Sequence, residues 1–387
     1  MQAFYGKKGV PYYSLLNNGV RFNEYVGVIQ IGKMTIEVLP KADNDDSGEA
    51  EWRGVLIDML RSVGIFKIHA PTSAALRVKP NSILDLYIEL FIQEAEQLLR
   101  AGLIKKYRKK DSNCGALKGN LLFAQHIQKN LVDKTHFFTR HTVYDVHHHL
   151  HRILYKTLLL LDRINTNVAL RSRIGVLLLD FPPQEDLNVF DATFEKLVFD
   201  RKTEPYRKSI EIARLLLLNY HPNVNSGNNH LLTLMFDMNK LWERFVFTSL
   251  REYFSMDNLY SVTGQTSKYF WKPLGGVRSS IRPDIVIQPG SGDACCIVLD
   301  TKWKNLNGYN PSPDDLRQLY VYHEFYNAKK VALVYPGKFK PVKGTYYTRD
   351  EKPGEKECSV MGIRVLTIIR DWKTEIGKNI LSWAGSD

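Results

Sequence analysis

The chain has 387 residues, enough for two or three domains, and its 44% hydrophobic and 24% charged content is that of a globular protein, not a disordered or fibrous one. Lys and Arg exceed Asp and Glu by 53 − 41 = 12, a balance that favours polyanionic partners such as nucleic acid. Four scattered cysteines (Cys114, Cys295, Cys296, Cys358) without CxxC spacing exclude a zinc knuckle; with no signal peptide and no apolar run long enough to span a bilayer, the expectation is a cytoplasmic protein without membrane contact.

In chain order, residues 25–30 and 34–39 flank Ile31-Gly32-Lys33 and predict a hairpin. Residues 42–51 read as an acidic loop. Residues 52–63 form an amphipathic helix, with Leu56, Met59, Leu60 and Val63 at helical spacing. Residues 83–101 predict a stronger helix, capped by Asn81-Ser82 and ended by Gly102. The run Lys105 to Lys110 is the densest basic stretch, either a solvated segment or a contact for phosphate. Residues 115–126 begin a β segment, and residues 136–142 read as a strand. Residues 145–161 predict a helix on which His147 and His151, one turn apart, are weighed as a metal pair; a polar His-rich face is the plainer reading, and HExxH is absent.

Residues 165–229 read as a mostly helical connector punctuated by Pro182-Pro183, Pro205 and Pro222. Residues 231–254 predict one long helix. Short strands follow at 259–262 and 269–272, then strands at 281–288 and 294–303 about the turn cluster 289–293. A helix is expected over 314–327, with strands at 330–335 and 365–369. The order predicts a multidomain α/β (α+β) protein whose last part is a mixed sheet flanked by helices. The expected divisions are 1–165, β-rich; 166–229, the connector; and 230–387.

The chemistry concentrates in Arg282-Pro283-Asp284 and Leu299-Asp300-Thr301-Lys302. Strand side chains alternate, so Asp300 and Lys302 share a face while Thr301 points away. A hairpin symmetric about Gly292 sets Asp284 across from Asp300. Two carboxylates that close raise one pKa unless a cation separates them, and an oxygen-lined pocket suits Mg²⁺. Lys302 then serves to position or deprotonate a water, or to offset developing charge. The alternative is a solvated ion-pair cluster, worth about 0–1 kcal/mol. The flanking runs Ile285-Val286-Ile287 and Ile297-Val298-Leu299 favour burial on both faces, where such a pair needs a metal or partner. There is no GxxxxGK[ST], GxGxxG or GxSxG, which excludes a P-loop, a dinucleotide fingerprint and a nucleophile elbow.

Pro283-Asp284 with Asp300-Thr301-Lys302 resembles the PD-(D/E)xK nuclease motif. The surroundings resemble the McrC family: residues 238–246 (MNKLWERFV), 282–287 (RPDIVI), 299–304 (LDTKWK), 315–320 (DLRQLY) with Tyr322, and the N-terminal stretches 27–30 and 36–41. McrC is the nuclease subunit of McrBC-type modification-dependent restriction systems. The resemblance implies a restriction-endonuclease-like domain that cuts double-stranded DNA with Mg²⁺, or Mn²⁺ as substitute, and binds no nucleotide itself. It implies an N-terminal domain that docks on McrB, a hexameric AAA+ GTPase, and stimulates its hydrolysis. Reading the modified base falls to that partner, and dimerisation through the nuclease domain accompanies cleavage. Residue by residue, Asp284 and Asp300 match metal ligands, Lys302 the catalytic lysine, and Glu243 an acidic position on the first helix that contacts metal directly or through a neighbour. Gln318 matches a glutamine that orients the lysine or the DNA backbone. Two other functions compete: an inactive adaptor that only activates an AAA+ motor, and a nucleic-acid-binding module of another kind. The carboxylate–lysine set speaks against both.

Overall fold

The computed structural model describes residues 12–32, 34–42, 48–63, 82–132, 134–221, 231–255, 260–290, 296–306 and 310–385. The acidic loop at 43–47, Asn81, and the turn at 291–295 lie outside these. Strands β1 (Tyr13–Leu16) and β2 (Gly19–Phe22) pair as a hairpin. The expected second hairpin is β3 (Tyr25–Ile31) and β4 (Met34–Val38), turning at Gly32, whose φ of +57° is open to glycine without strain. Helix α1 (Glu49–Ser62) buries Trp52, Leu56, Met59 and Leu60.

The contacts gather the chain into two compact units. The first takes Met1–Val28, Glu37–His69 and Met235–Asp387; the second takes Ile29–Ile36 and Ala70–Leu234.

In the second unit, α2 (Ile83–Ala101) starts where Ser82 Oγ accepts the Asp85 amide and stops at Gly102, with φ +86°. The basic run enters β5 (Lys106–Cys114), which pairs along its length with β7 (Phe137–Asp145). Between them the expected β segment shrinks to β6 (Asn120–Leu121), followed by helix α3 (Phe123–Asn130). Asn130 explains the helix: its side chain bonds Asn113 and the His136 carbonyl, tying the segment back to the ladder. The next helix, α4, spans His149–Ile164, not 145–161. Asp145 stays in β7 because its carboxylate takes a bidentate grip from Arg108 and the His147 amide. His147 therefore precedes the helix, and the one-turn spacing to His151 does not exist. Helices α5 (Val168–Asp180), α6 (Asp191–Glu195) and α7 (Arg207–Leu218) complete this unit, and Arg173 of α5 bonds the buried Glu89 of α2.

The expected helix 231–254 is two elements. A short strand β8 (Tyr220–His221) pairs with β9 (Leu231–Asp237), and α8 (Met238–Phe254) begins only after Asp237, whose carboxylate caps the Lys240 amide. The run LLTLMF is apolar but for Thr233 and without clear period, which leaves strand and helix indistinguishable until the Asp cap is weighed. A four-stranded sheet has the order β4-β3-β9-β8.

The first unit is built on a six-stranded sheet, β10-β13-β14-β15-β17-β16, from β10 (Tyr260–Gly264), β13 (Ile285–Pro289), β14 (Cys296–Thr301), β15 (Ala328–Pro336), β16 (Val342–Tyr347) and β17 (Pro353–Ile363). A separate hairpin joins β11 (Lys268–Trp271) and β12 (Ser279–Ile281). The sheet is mixed: β13 and β14 are antiparallel, and β14, β15 and β17 are parallel. Helix α9 (Pro313–Tyr326) supplies the crossover from β14 to β15, starting at Pro313 with Ser312 as its cap. Its Leu319, Tyr322 and Tyr326 pack with Val286, Val298, Leu333 and Val360. Residues of the other parity, such as Ile285, Ile287 and Leu299, are buried too, and Trp242 of α8 donates to the Val334 carbonyl at 3.2 Å. The strand expected at 365–369 is not formed. Instead β17 ends at Ile363, residues 364–368 form a connection, and the last helix, α10 (Ile369–Gly385), starts at the final residue of the expected strand. Its Trp372 stacks on Trp242 and Phe245 of α8. Among the described residues no helix is long and apolar enough to cross a membrane.

Candidate active site

The β13–β14 hairpin pairs Ile285 with Leu299, Val286 with Val298 and Ile287 with Ile297. This register is centred on residue 292, and its next step sets Asp284 opposite Asp300. The two carboxylates are held differently. Asp284 Oδ2 accepts from both the Thr301 amide (2.7 Å) and the Thr301 hydroxyl (2.8 Å). Thr301, expected to point away, thus serves the site through its backbone and its Oγ1.

Asp300 is 1% exposed, and neither of its oxygens has a hydrogen-bond partner. Lys302 Nζ stands 2.9 Å from Asp300 Oδ2, an ion pair by distance but outside hydrogen-bonding geometry. Burial pushes the Asp300 carboxyl up to about 7, and the Asp284 charge adds to the rise against the pull of Lys302. Burial alone would lower Lys302, but the charges of Asp300 and Asp284 outweigh it and keep the amine above its ordinary pKa. Without a metal the two carboxylates thus hold Lys302 as an ammonium, suited to stabilise negative charge. Its backbone amide donates to the Val334 carbonyl, which fixes the strand end.

Glu243 projects from the first turns of α8. Burial raises its pKa, and the Asp284 charge raises it further, so it belongs to the same electrostatic cluster. It also accepts a bond from the Gln265 side chain. Gln265, which sequence reasoning missed, is the centre of this corner. It sits just past β10 at φ +56°, its amide donates to the Asp284 carbonyl, and its Oε1 accepts from Arg282. A non-glycine residue in the left-handed region is uncommon and often marks a functional turn. No motif in the sequence signals it.

Gln318 and Tyr322 are one turn apart on α9. Gln318 Nε2 donates to the Tyr322 hydroxyl (2.6 Å), which donates to the Arg282 carbonyl (3.0 Å). Burial raises the Tyr322 pKa well above the usual phenol value, so it stays protonated. Gln318 is thereby linked to the backbone that carries Asp284.

A buried carboxylate balanced by one ammonium and without a hydrogen bond has open valences for a further ligand. The donors here are hard oxygens, the set that suits Mg²⁺ over thiolate-loving metals. No group of three or more His, Cys, Asp and Glu in metal-holding geometry occurs among the described residues. That includes His147 and His151: His151 is buried, with Nδ1 on the Val146 carbonyl (2.6 Å) and Nε2 on the Tyr206 hydroxyl (2.9 Å).

A family model described as "McrBC 5-methylcytosine restriction system component" matches residues 20–336. A comparison with curated proteins gave no match. Among solved structures, the refined half-complex of Thermococcus gammatolerans McrB AAA+ hexamers with bound McrC contains a chain of the same fold. It is 23% identical, with a TM-score of 0.72, covering 96% of this chain and 85% of that one. The cryo-EM structure of the Thermococcus gammatolerans McrBC complex also matches, at 22% identity and a TM-score of 0.47 over 68% of this chain and 72% of that one. The matched span of the family model takes in the β3–β4 hairpin, Glu243, Asp284, Asp300, Lys302 and Gln318, and on it the chain belongs to the McrBC 5-methylcytosine restriction-system component family.

Proposed function

We propose that this chain is the nuclease subunit of an McrBC-type restriction complex: a Mg²⁺-dependent endodeoxyribonuclease that works docked on a hexameric AAA+ GTPase, which itself reads the modified base. The observation that carries the reading is Asp300, buried with both oxygens unbonded beside Asp284 and the Lys302 ammonium. The McrB-bound McrC chain of the same fold supports the choice of partner.

Asp300 and Asp284 are the residues that would hold the cation, with Glu243 acting through a neighbour, since the three do not stand together in metal-holding geometry. A bound divalent ion supplies Lewis acidity at the scissile phosphate and a water of lowered pKa. The chain's own groups do the rest. Thr301 occupies Asp284 Oδ2 and so orients that carboxylate. The Lys302 ammonium offsets charge developing on the phosphoryl oxygens in a site sheltered from water, where such a contact counts for more. Gln265 and Tyr322 hold the Arg282–Asp284 backbone from two sides.

The test is Asp300→Ala, assayed on modified duplex DNA with Mg²⁺, GTP and the AAA+ partner. Cleavage should fall by more than the ~10–100-fold typical of losing an outer-shell partner, while binding to the partner is kept. Cutting at the wild-type rate by this variant would remove the assignment.

A further inference from the structure

Strands β14, β15 and β17 are parallel, so their C-terminal ends share one edge of the sheet. Asp300 is in register with Leu333, and Leu333 with Val360. At that edge, beyond the ends of β15 and β17, lies a groove of about 660 Å³ bounded by one face of α10. Among the described residues that line it are four cations, Lys338, Lys340, Lys343 and Arg364, and one anion, Glu375.

The loop that carries the lysines is fastened to the sheet. Gly337, at φ +151°, donates its amide to the Ile363 carbonyl at 2.8 Å. Phe339 lies against Gly362 so closely that a Cβ there would come within 2.8 Å of its ring. The charges therefore stand on a built edge.

We propose that this groove carries the phosphate backbone of the DNA on one side of the cut, an assignment that rests on the nuclease reading of Asp300. Neighbouring strands are ~4.8 Å apart, so β17 runs about 10 Å from β14. The groove lies beyond the ends of β15 and β17, so it is farther from Asp300 than that lateral spacing alone. Acidic side chains would answer the same charge, but the excess of cations over anions, at the same C-terminal edge of the sheet at which β14 delivers Asp300, favours the substrate's own backbone. Contacts to phosphate carry no base information, so the groove sets the register of the duplex and not its sequence.

The experiment measures binding of the full chain to a labelled duplex in EDTA across a salt series. Each lost phosphate contact removes about 0.9 from the slope of log K against log[salt]. Lys338→Ala with Lys340→Ala should lower the slope by about 2 and weaken binding about 60-fold at 0.1 M salt if the 1 M intercept is unchanged. Lys338→Arg with Lys340→Arg should restore both. Lys329→Ala is the control: Lys329 is exposed near the N-terminal end of the same strand, at the opposite edge. An unchanged slope in the double alanine variant overturns the proposal. So does an equal change in the control, or loss of AAA+ partner binding with the slope intact, which would give the groove to a protein. Because the readout is binding, failure of the Asp300→Ala cleavage test would leave this result legible on its own.

Discussion

His151 in one unit and Asp300 in the other are both titratable, both buried and both shifted, yet they are opposites in chemistry. His151 sits in a closed chain of bonds: the Ile104 amide donates to the Tyr206 hydroxyl, that hydroxyl meets Nε2, and Nδ1 donates to the Val146 carbonyl. A neutral imidazole satisfies every link. Burial and the neighbouring His148 accordingly lower its pKa to about 4. Asp300 has no such chain, and burial with Asp284 drives it the other way. A buried group whose valences are filled is structural; one whose valences are open is waiting for a ligand. That contrast, more than the size of either shift, separates the histidine cluster from the carboxylate site.

The sharpest way to break the contrast is Asp300→Asn. It should abolish cleavage and, without metal, remove the slope that Asp300 gives to the stability profile between about pH 4 and 7. Wild type should gain several degrees in Tm with saturating Mg²⁺, as ligand linkage requires; the variant should gain none. A metal-induced shift that survives in Asp300→Asn would place the cation elsewhere. The pH dependence follows from the raised pKa. Between about pH 4 and 7 the folded chain without metal keeps a proton on Asp300 that the unfolded chain has lost. Its contribution to stability therefore falls as pH rises through that window and is flat above it.

His151→Leu should act in the reverse sense. It leaves the Val146 carbonyl and Tyr206 hydroxyl without their partner, a loss of about 2–4 kcal/mol read by denaturant unfolding. His151 contributes stability fully above about pH 6.5, and loses it as pH falls towards 4, because the unfolded imidazole takes a proton the folded one refuses. The two variants should thus remove legs of opposite slope from the stability profile over the same acid range. Equal signs would mean that one of the two sites is misread.

The carboxylate site was legible because strand physics made it so. Period-two alternation, a turn cluster and two apolar runs fix which residues face each other, and the register centred on residue 292 follows from symmetry alone. What escaped was set by three-dimensional closure. Gln265 belongs to a turn with no motif, and its role depends on α8, β10 and β13 converging. The helix at 231–254 hid a strand because its first six residues, apolar but for Thr233, carry no clear period, and the strand they form lies beside β3, far away in sequence. The strand expected at 365–369 failed for the converse reason: a short apolar run there is the approach to α10, and β17 had already closed the sheet. His147 and His151 looked paired only because the helix was started four residues early.

A smaller effect tests how far the open site depends on its support. Thr301→Val removes the hydroxyl that bonds Asp284 Oδ2 but keeps the amide that bonds the same atom. Loss of an outer partner of this kind typically lowers activity ~10–100-fold; the lower end is expected, because one donor remains. Steady-state cleavage with the partner present gives the number, and a change below twofold would mean that the amide alone fixes the carboxylate.

The smallest effect concerns α9. Tyr322→Phe deletes the donor to the Arg282 carbonyl and the acceptor for Gln318, at a net cost of about 1 kcal/mol, because residue 282 is exposed and its carbonyl can turn to water. If Gln318 acts only through Tyr322, Gln318→Ala should have nearly the same effect on cleavage, and the double variant should be no worse than either single one. Residues in one hydrogen-bonded unit are non-additive in this way. If instead Gln318 reaches the lysine or the DNA, the two losses should add, and the double variant should cut more slowly than both by the product of their factors. The cycle therefore decides whether α9 supports the carboxylate loop from behind or takes part in the site itself.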